Sequence, residues 1–182
     1  MTIDELERMI WNLPNDNIVR IFGCLCIKRV LNIFGQEFPN NEYLRKVVEN
    51  THKFALGQIS EEDLIIHNKK VMAILEEVSK ILKLEKTNKV LAAKAITFAV
   101  ALVSLPKGIK ITPTLKFVTP KNTRLNPEVV WAIIFAIESA RDAIGFMKSQ
   151  EYGKGNYKAK KEEMSEQLKI LLQVLRKHNG QE

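Results

Sequence analysis

The chain has 182 residues, 46% hydrophobic and 27% charged, with 8 Gly and 6 Pro; this excludes disordered, collagen-like and low-complexity classes and predicts a single globular domain over 1–182. Its 28 Lys+Arg against 21 Asp+Glu leave a formal net charge of +7, which attracts nucleic acid, anionic membranes and acidic proteins alike and selects none of them. The excess is local: residues 67–126 carry 12 basic and 3 acidic groups, against 7 and 10 in residues 1–66 and 9 and 8 in residues 127–182.

Helical periodicity and stop signals divide the chain into successive helices. Thr2 to Leu13 reads as a short first helix with Asp4, Glu5 and Glu7 near its N-terminus, where the macrodipole favours acids, and Pro14 ends it. Asp16 or Asn17 caps the second, in which Val19, Phe22, Cys26, Val30, Ile33 and Phe34 recur at helical spacing up to Pro39. Asn40 or Asn41 caps the third, with Leu44, Val47, Val48, Phe54 and Ala55 inward and Gly57 as its left-handed stop. Ser60-Glu61-Glu62-Asp63 resembles a capping box opening a fourth helix, whose inward stripe is Leu64, Val71, Leu75, Val78 and Leu82.

Asn88 introduces a fifth helix, apolar on most sides around Leu91 to Ala101, which predicts a deep position in a bundle. Residues 106–127 hold four of the six prolines and several β-favouring side chains, so either a small hairpin or a long ordered connection fits. Pro127 after Asn126 opens a sixth helix to Met147, with Val130, Ile133, Ile134, Ile137, Ala140 and Ile144 on one face. Tyr157 to His178 is the seventh, with Met164, Leu168, Leu171, Leu172 and Leu175 inward. The fold class expected is therefore all-α, a single-domain bundle or array of about seven helices.

Cys24 and Cys26 stand two residues apart in a helical pattern, on different faces, and read as buried thiols of a reducing, cytoplasmic setting. The N-terminus lacks the basic start and apolar run of a signal peptide. The apolar stretch Val90 to Leu105 is interrupted by Lys94 and is shorter than the roughly 20 residues of a membrane span. No membrane partner is expected.

No grouping of residues reads as catalytic, metal-binding or cofactor-binding, and the expectation is a non-enzymatic protein. His52, His67 and His178 have no His or Cys three or four residues away to complete a metal pair on one helix face. Cys24 and Cys26 lack the Cys-x-x-Cys redox spacing. Gly153-Lys154-Gly155 lacks the Gly-Lys-Ser/Thr ending of a phosphate loop and reads as a turn.

The basic segment is the feature that suggests a partner. Lys80, Lys83, Lys86 and Lys89 recur every three residues, followed by Lys107, Lys110, Lys116, Lys121 and Arg124. Of these, Lys107, Lys110, Lys116, Lys121, Arg124, Lys83 and Lys86 are the candidate partner-binding residues. A plain solvated surface is the first reading of such charges; an acidic protein surface and then nucleic acid are the partners that fit them.

The run Cys24-Leu25-Cys26-Ile27-Lys28-Arg29-Val30-Leu31-Asn32-Ile33-Phe34, then Glu37, Pro39-Asn40-Asn41, Arg45-Lys46-Val47-Val48-Glu49 and Ala55-Leu56-Gly57-Gln58-Ile59-Ser60, resembles the opening of a bacterial all-helical immunity-protein family of polymorphic toxin systems, immunity family five. Leu91 to Ala101 and Glu162 to Arg176 are similar to that family's central and closing helices. The resemblance implies a stoichiometric inhibitor that binds a cognate toxin and blocks its active site, with the basic segment as the contact to an acidic toxin surface. It implies no catalytic residue. The alternative is a nucleic-acid-binding accessory protein that uses residues 67–126.

Overall fold

A computed structural model describes residues 2–34, 38, 40–110, 119–121 and 123–180. Among them there are seven helices and no strand: α1 (Ile3–Trp11), α2 (Asp16–Phe34), α3 (Asn41–Ala55), α4 (Glu61–Leu84), α5 (Asn88–Val103), α6 (Pro127–Met147) and α7 (Tyr157–His178). No helix is long and apolar enough to cross a membrane among the described residues. The hairpin reading of 106–127 centres on residues 111–118, which lie outside the described residues, and the described flanks carry no strand.

The starts of the helices follow from their capping chemistry. Thr2 and Ser60 each make a reciprocal capping box, with Glu5 and Asp63 respectively. Thr87, Asn126 and Asn156 accept from backbone N–H groups of α5, α6 and α7. The cap of α5 is thus Thr87, one residue before the Asn88 expected. Asn40 precedes α3 but is left-handed (φ 64°) and makes no side-chain cap bond. Asn41, the other candidate, turns inward instead and donates from Nδ2 to the Leu31 carbonyl at 3.4 Å.

Apolar content decides which helices lie inside. α5 and α6 are apolar on most sides, so α6 buries residues from Val129 to Gly145 nearly all round, and α5 packs along it. α2 crosses the same pair. Gly23 makes that crossing close: a Cβ there would lie 2.9 Å from Ile133 Cγ2 and 3.3 Å from Val103 Cγ2. α3, α4 and α7 cover this inner set. α1 docks on α6 through Trp11, whose ring meets Trp131 edge-on at 5.7 Å, with Phe135 stacked behind at 5.8 Å. All seven helices contribute to one hydrophobic core or its immediate lining.

Two expected apolar stripes are displaced. In α2, Ile33 is 47% exposed although Val30 and Phe34 beside it are buried. In α7 the buried face is Ala159, Glu163, Met164, Gln167, Leu171 and Val174, while Leu172 is 40% exposed. The helix is rotated so that a carboxylate and an amide face inward, because Arg29 of α2 and the Ile137 carbonyl of α6 offer them partners there.

Candidate interaction surface

The helices divide the basic segment into two groups at opposite ends of α5. Lys83 lies in the last turn of α4 and Lys86 in the α4–α5 connection, both exposed. Lys107 and Lys110 follow α5, and Lys121 and Arg124 precede α6; all four are exposed. The sixteen residues of α5 separate the groups by about 24 Å at 1.5 Å per residue. Lys116 lies outside the described residues. The six described candidates thus fall into two groups, one at each end of α5.

At the first end, the side chain of Asn88 ties the α4–α5 turn to the α6–α7 turn. Its Nδ2 donates to the carbonyls of Ser149 (3.1 Å) and Glu151 (2.9 Å), and its Oδ1 accepts from Gly153 N–H at 3.0 Å. Lys83 and Lys86 form no ion pair among the described residues, whereas Lys154 across the turn is engaged by Glu151 at 2.6 Å.

The second end is built more firmly. Ile109 N–H donates to the Glu128 carbonyl at 3.0 Å, so the stretch of chain carrying Lys107 and Lys110 is laid against the first turn of α6. Gly108 makes this approach feasible: its φ is +77°, and a Cβ would collide with the backbone of Glu128 and Val129. Asn126 N–H donates to Asp16 Oδ1 at 2.9 Å, which fixes the segment bearing Lys121 and Arg124 to the start of α2. Gly108→Ala is expected to cost about 2 kcal/mol through left-handed strain plus steric displacement; a chemical-denaturation midpoint unchanged from wild type would refute this account of the turn.

Beneath this end lies Arg20, 3% exposed, which sequence reading passed over. Its Nη1 donates to the Leu105 carbonyl at 2.7 Å and to the Val103 carbonyl at 3.5 Å, and its Nη2 donates to the Pro106 carbonyl. A cation at the C-terminus of α5 satisfies carbonyls that the helix leaves open and complements its dipole. The guanidinium also sits 5.6 Å from the Phe54 ring centroid. Burial pulls its pKa down, while Asp16 and Glu61 act to hold the charge. The signal in the sequence was a lone Arg within the otherwise apolar run Ile18 to Ile27.

Lys110, Lys121 and Arg124 form no ion pair among the described residues. Lys107 pairs with Glu61 at 3.5 Å, with the two side chains 82% and 43% exposed, a geometry that holds little energy and leaves the lysine free to exchange partners. The cations at the second end are therefore solvent-facing charges on a braced backbone.

A second polar group, also missed from sequence, lies inside the α2–α6–α7 junction. Glu163 is 2% exposed and meets Arg29 Nη1 at 3.4 Å; Arg29 Nε is also 3.9 Å from Glu166. Burial pushes the Glu163 carboxyl up to about 7, against the pull of Arg29. Gln167 Nε2 donates to the Ile137 carbonyl at 3.0 Å. One oxygen of each side chain, Glu163 Oε1 and Gln167 Oε1, has no hydrogen-bond partner. These positions were legible as an i, i+4 polar pair beside Met164 and Leu171, had the stripe been phased on them.

Cys24 and Cys26 are both buried. Burial pushes the Cys24 thiol up to about 12 and the Cys26 thiol well above its ordinary range, where it stays protonated and non-nucleophilic. No group of His, Cys, Asp and Glu able to hold a metal ion occurs among the described residues.

Comparison of the chain with protein-family models, with curated proteins and with solved structures finds no match.

Proposed function

We propose that this chain is a non-enzymatic protein-binding module which neutralises a cognate bacterial toxin by stoichiometric association. The observation that supports binding is the second end of α5, where Lys107, Lys110, Lys121 and Arg124 are held on backbone pinned to α2 and α6 yet keep their charges facing solvent. Such an array steers an acidic partner and is pre-organised for it. The toxin-neutralising form of the reading rests on the resemblance of residues 24–60. Several of those residues serve the core here, including Cys24, Cys26, Val30, Val47 and Val48, so that part of the resemblance bears on the scaffold and the exposed cations on the contact.

The test is co-expression with the product of the adjacent reading frame, followed by measurement of association rates at low and high salt. Charge reversal at Lys107, Lys110 and Arg124 is expected to slow association at low salt by about tenfold or more, whereas reversal at Lys83 and Lys86, some 24 Å away by the length of α5, leaves it near wild type. Equal rates for all three proteins would reject the assignment of the contact, and no association would reject the function. Nucleic acid is discriminated by a salt titration against short duplex and single-stranded DNA: binding that weakens steeply with salt would favour that alternative.

A further inference from the structure

Away from the basic segment, α1, α6 and α7 enclose a cleft of about 630 Å³, a size suited to a small organic ligand. Arg141 lines it from α6 and is 6% exposed. Its Nη2 lies 3.6 Å from Glu138 Oε1, a long ion pair, and its Nη1 has no hydrogen-bond partner. A buried guanidinium nitrogen without an acceptor carries a desolvation cost that an incoming oxygen would offset.

The rest of the lining favours the same class of group. Lys160 is held by Asp142 at 2.6 Å, while Lys161 forms no ion pair among the described residues. Each lining carboxylate thus already holds one cation; the lining itself has Arg141, Lys160 and Lys161 against Glu138 and Asp142, and Glu7 of α1 also acts on Arg141. Ile3 and Tyr157, the first residues of α1 and α7, stand at the rim; α7 has no acid in its first turn and directs a positive N-terminal end to the cleft, whereas Asp4 and Glu5 offset that of α1. Both side chains are exposed, 44% and 79%, and supply an apolar rim that the fold itself leaves uncovered, with the buried Met164 at its base. We propose that this cleft binds a small organic monocarboxylate, its carboxylate meeting Arg141 and Lys161 and its apolar body lying against Ile3, Tyr157 and Met164.

Isothermal titration of the full chain with decanoate is the test. Decanoate is expected to bind saturably at one site, with decanol, which lacks the charge, and sulfate, which lacks the apolar body, each about tenfold weaker or worse. Lys161→Glu and Tyr157→Ala change exposed side chains, keep the fold, and are expected to weaken decanoate about tenfold each. Lys83→Glu, on α4, which packs against α3 and α5 and does not line the cleft, is expected to leave it unchanged. Absence of saturable binding, equal affinity for decanol or sulfate, unchanged affinity in Lys161→Glu, or an equal loss in Lys83→Glu would each overturn the proposal.

Discussion

Acidification from about pH 8 to about pH 5 is expected to stabilise the wild-type chain relative to Glu163→Gln by about 3 kcal/mol. The carboxyl of Glu163 titrates at about 7 in the folded protein against an ordinary value of 4.5, because burial penalises the charged form more than Arg29 favours it. A pKa raised on folding means that the folded state binds the proton more tightly. Stability therefore increases as pH falls through 7 and the gain is complete below the ordinary carboxyl range. Glu163→Gln introduces a neutral near-isostere that does not titrate, so the variant lacks this increase. It is the more stable protein at alkaline pH, where wild type carries a buried carboxylate with an unpaired Oε1.

Comparison with the variant is necessary because other groups titrate in the same range. His52 has its pKa lowered by burial and by Lys28, so it contributes stability that is lost as pH falls through the ordinary histidine value. Glu138 and Glu7 are raised by burial and act in the same direction as Glu163. Subtracting one thermal-denaturation series from the other, pH by pH, removes these shared contributions. A difference between wild type and Glu163→Gln that is constant across the range would refute the assignment.

Arg20→Ala is expected to lower the free energy of unfolding by about 4 kcal/mol, since it removes a buried charged donor and leaves the end of α5 with unpaired carbonyls. Urea denaturation measures the loss. Arg20→Lys is expected to recover less than half of it, because a lysine has the charge but not the planar fork that reaches Leu105 and Pro106 together. Amide exchange should quicken first around Leu105 to Lys110, the stretch that Arg20 anchors. A loss below about 1 kcal/mol would make Arg20 an ordinary surface residue in energetic effect.

The all-α architecture was legible because each helix carries its own start, stop and period. Pro14, Gly57, Asn126-Pro127 and the Ser60 box are local signals, and local backbone physics is enough to read them. The candidate contact was legible only as composition. Counting cations along the chain joined Lys83 and Lys86 to Lys107, Lys110, Lys121 and Arg124, but the rigid rise of α5 between them puts the two groups at different ends of the bundle.

The inward charges were not legible for a different reason. Phasing α7 on Leu168, Leu172 and Leu175 maximises apolar burial for that helix taken alone, whereas Arg29 and the Ile137 carbonyl reward burying Glu163 and Gln167. Those rewards come from α2 and α6, more than a hundred and about thirty residues away in sequence, respectively. The amino-acid sequence by itself thus determined the helices, their order, the buried thiols and the placement of positive charge within 67–126. Tertiary structure alone decided which cations share a surface, that Arg20 closes α5, and that Arg141 and Glu163 lie inside, because each depends on partners supplied by another helix or by the packing around it.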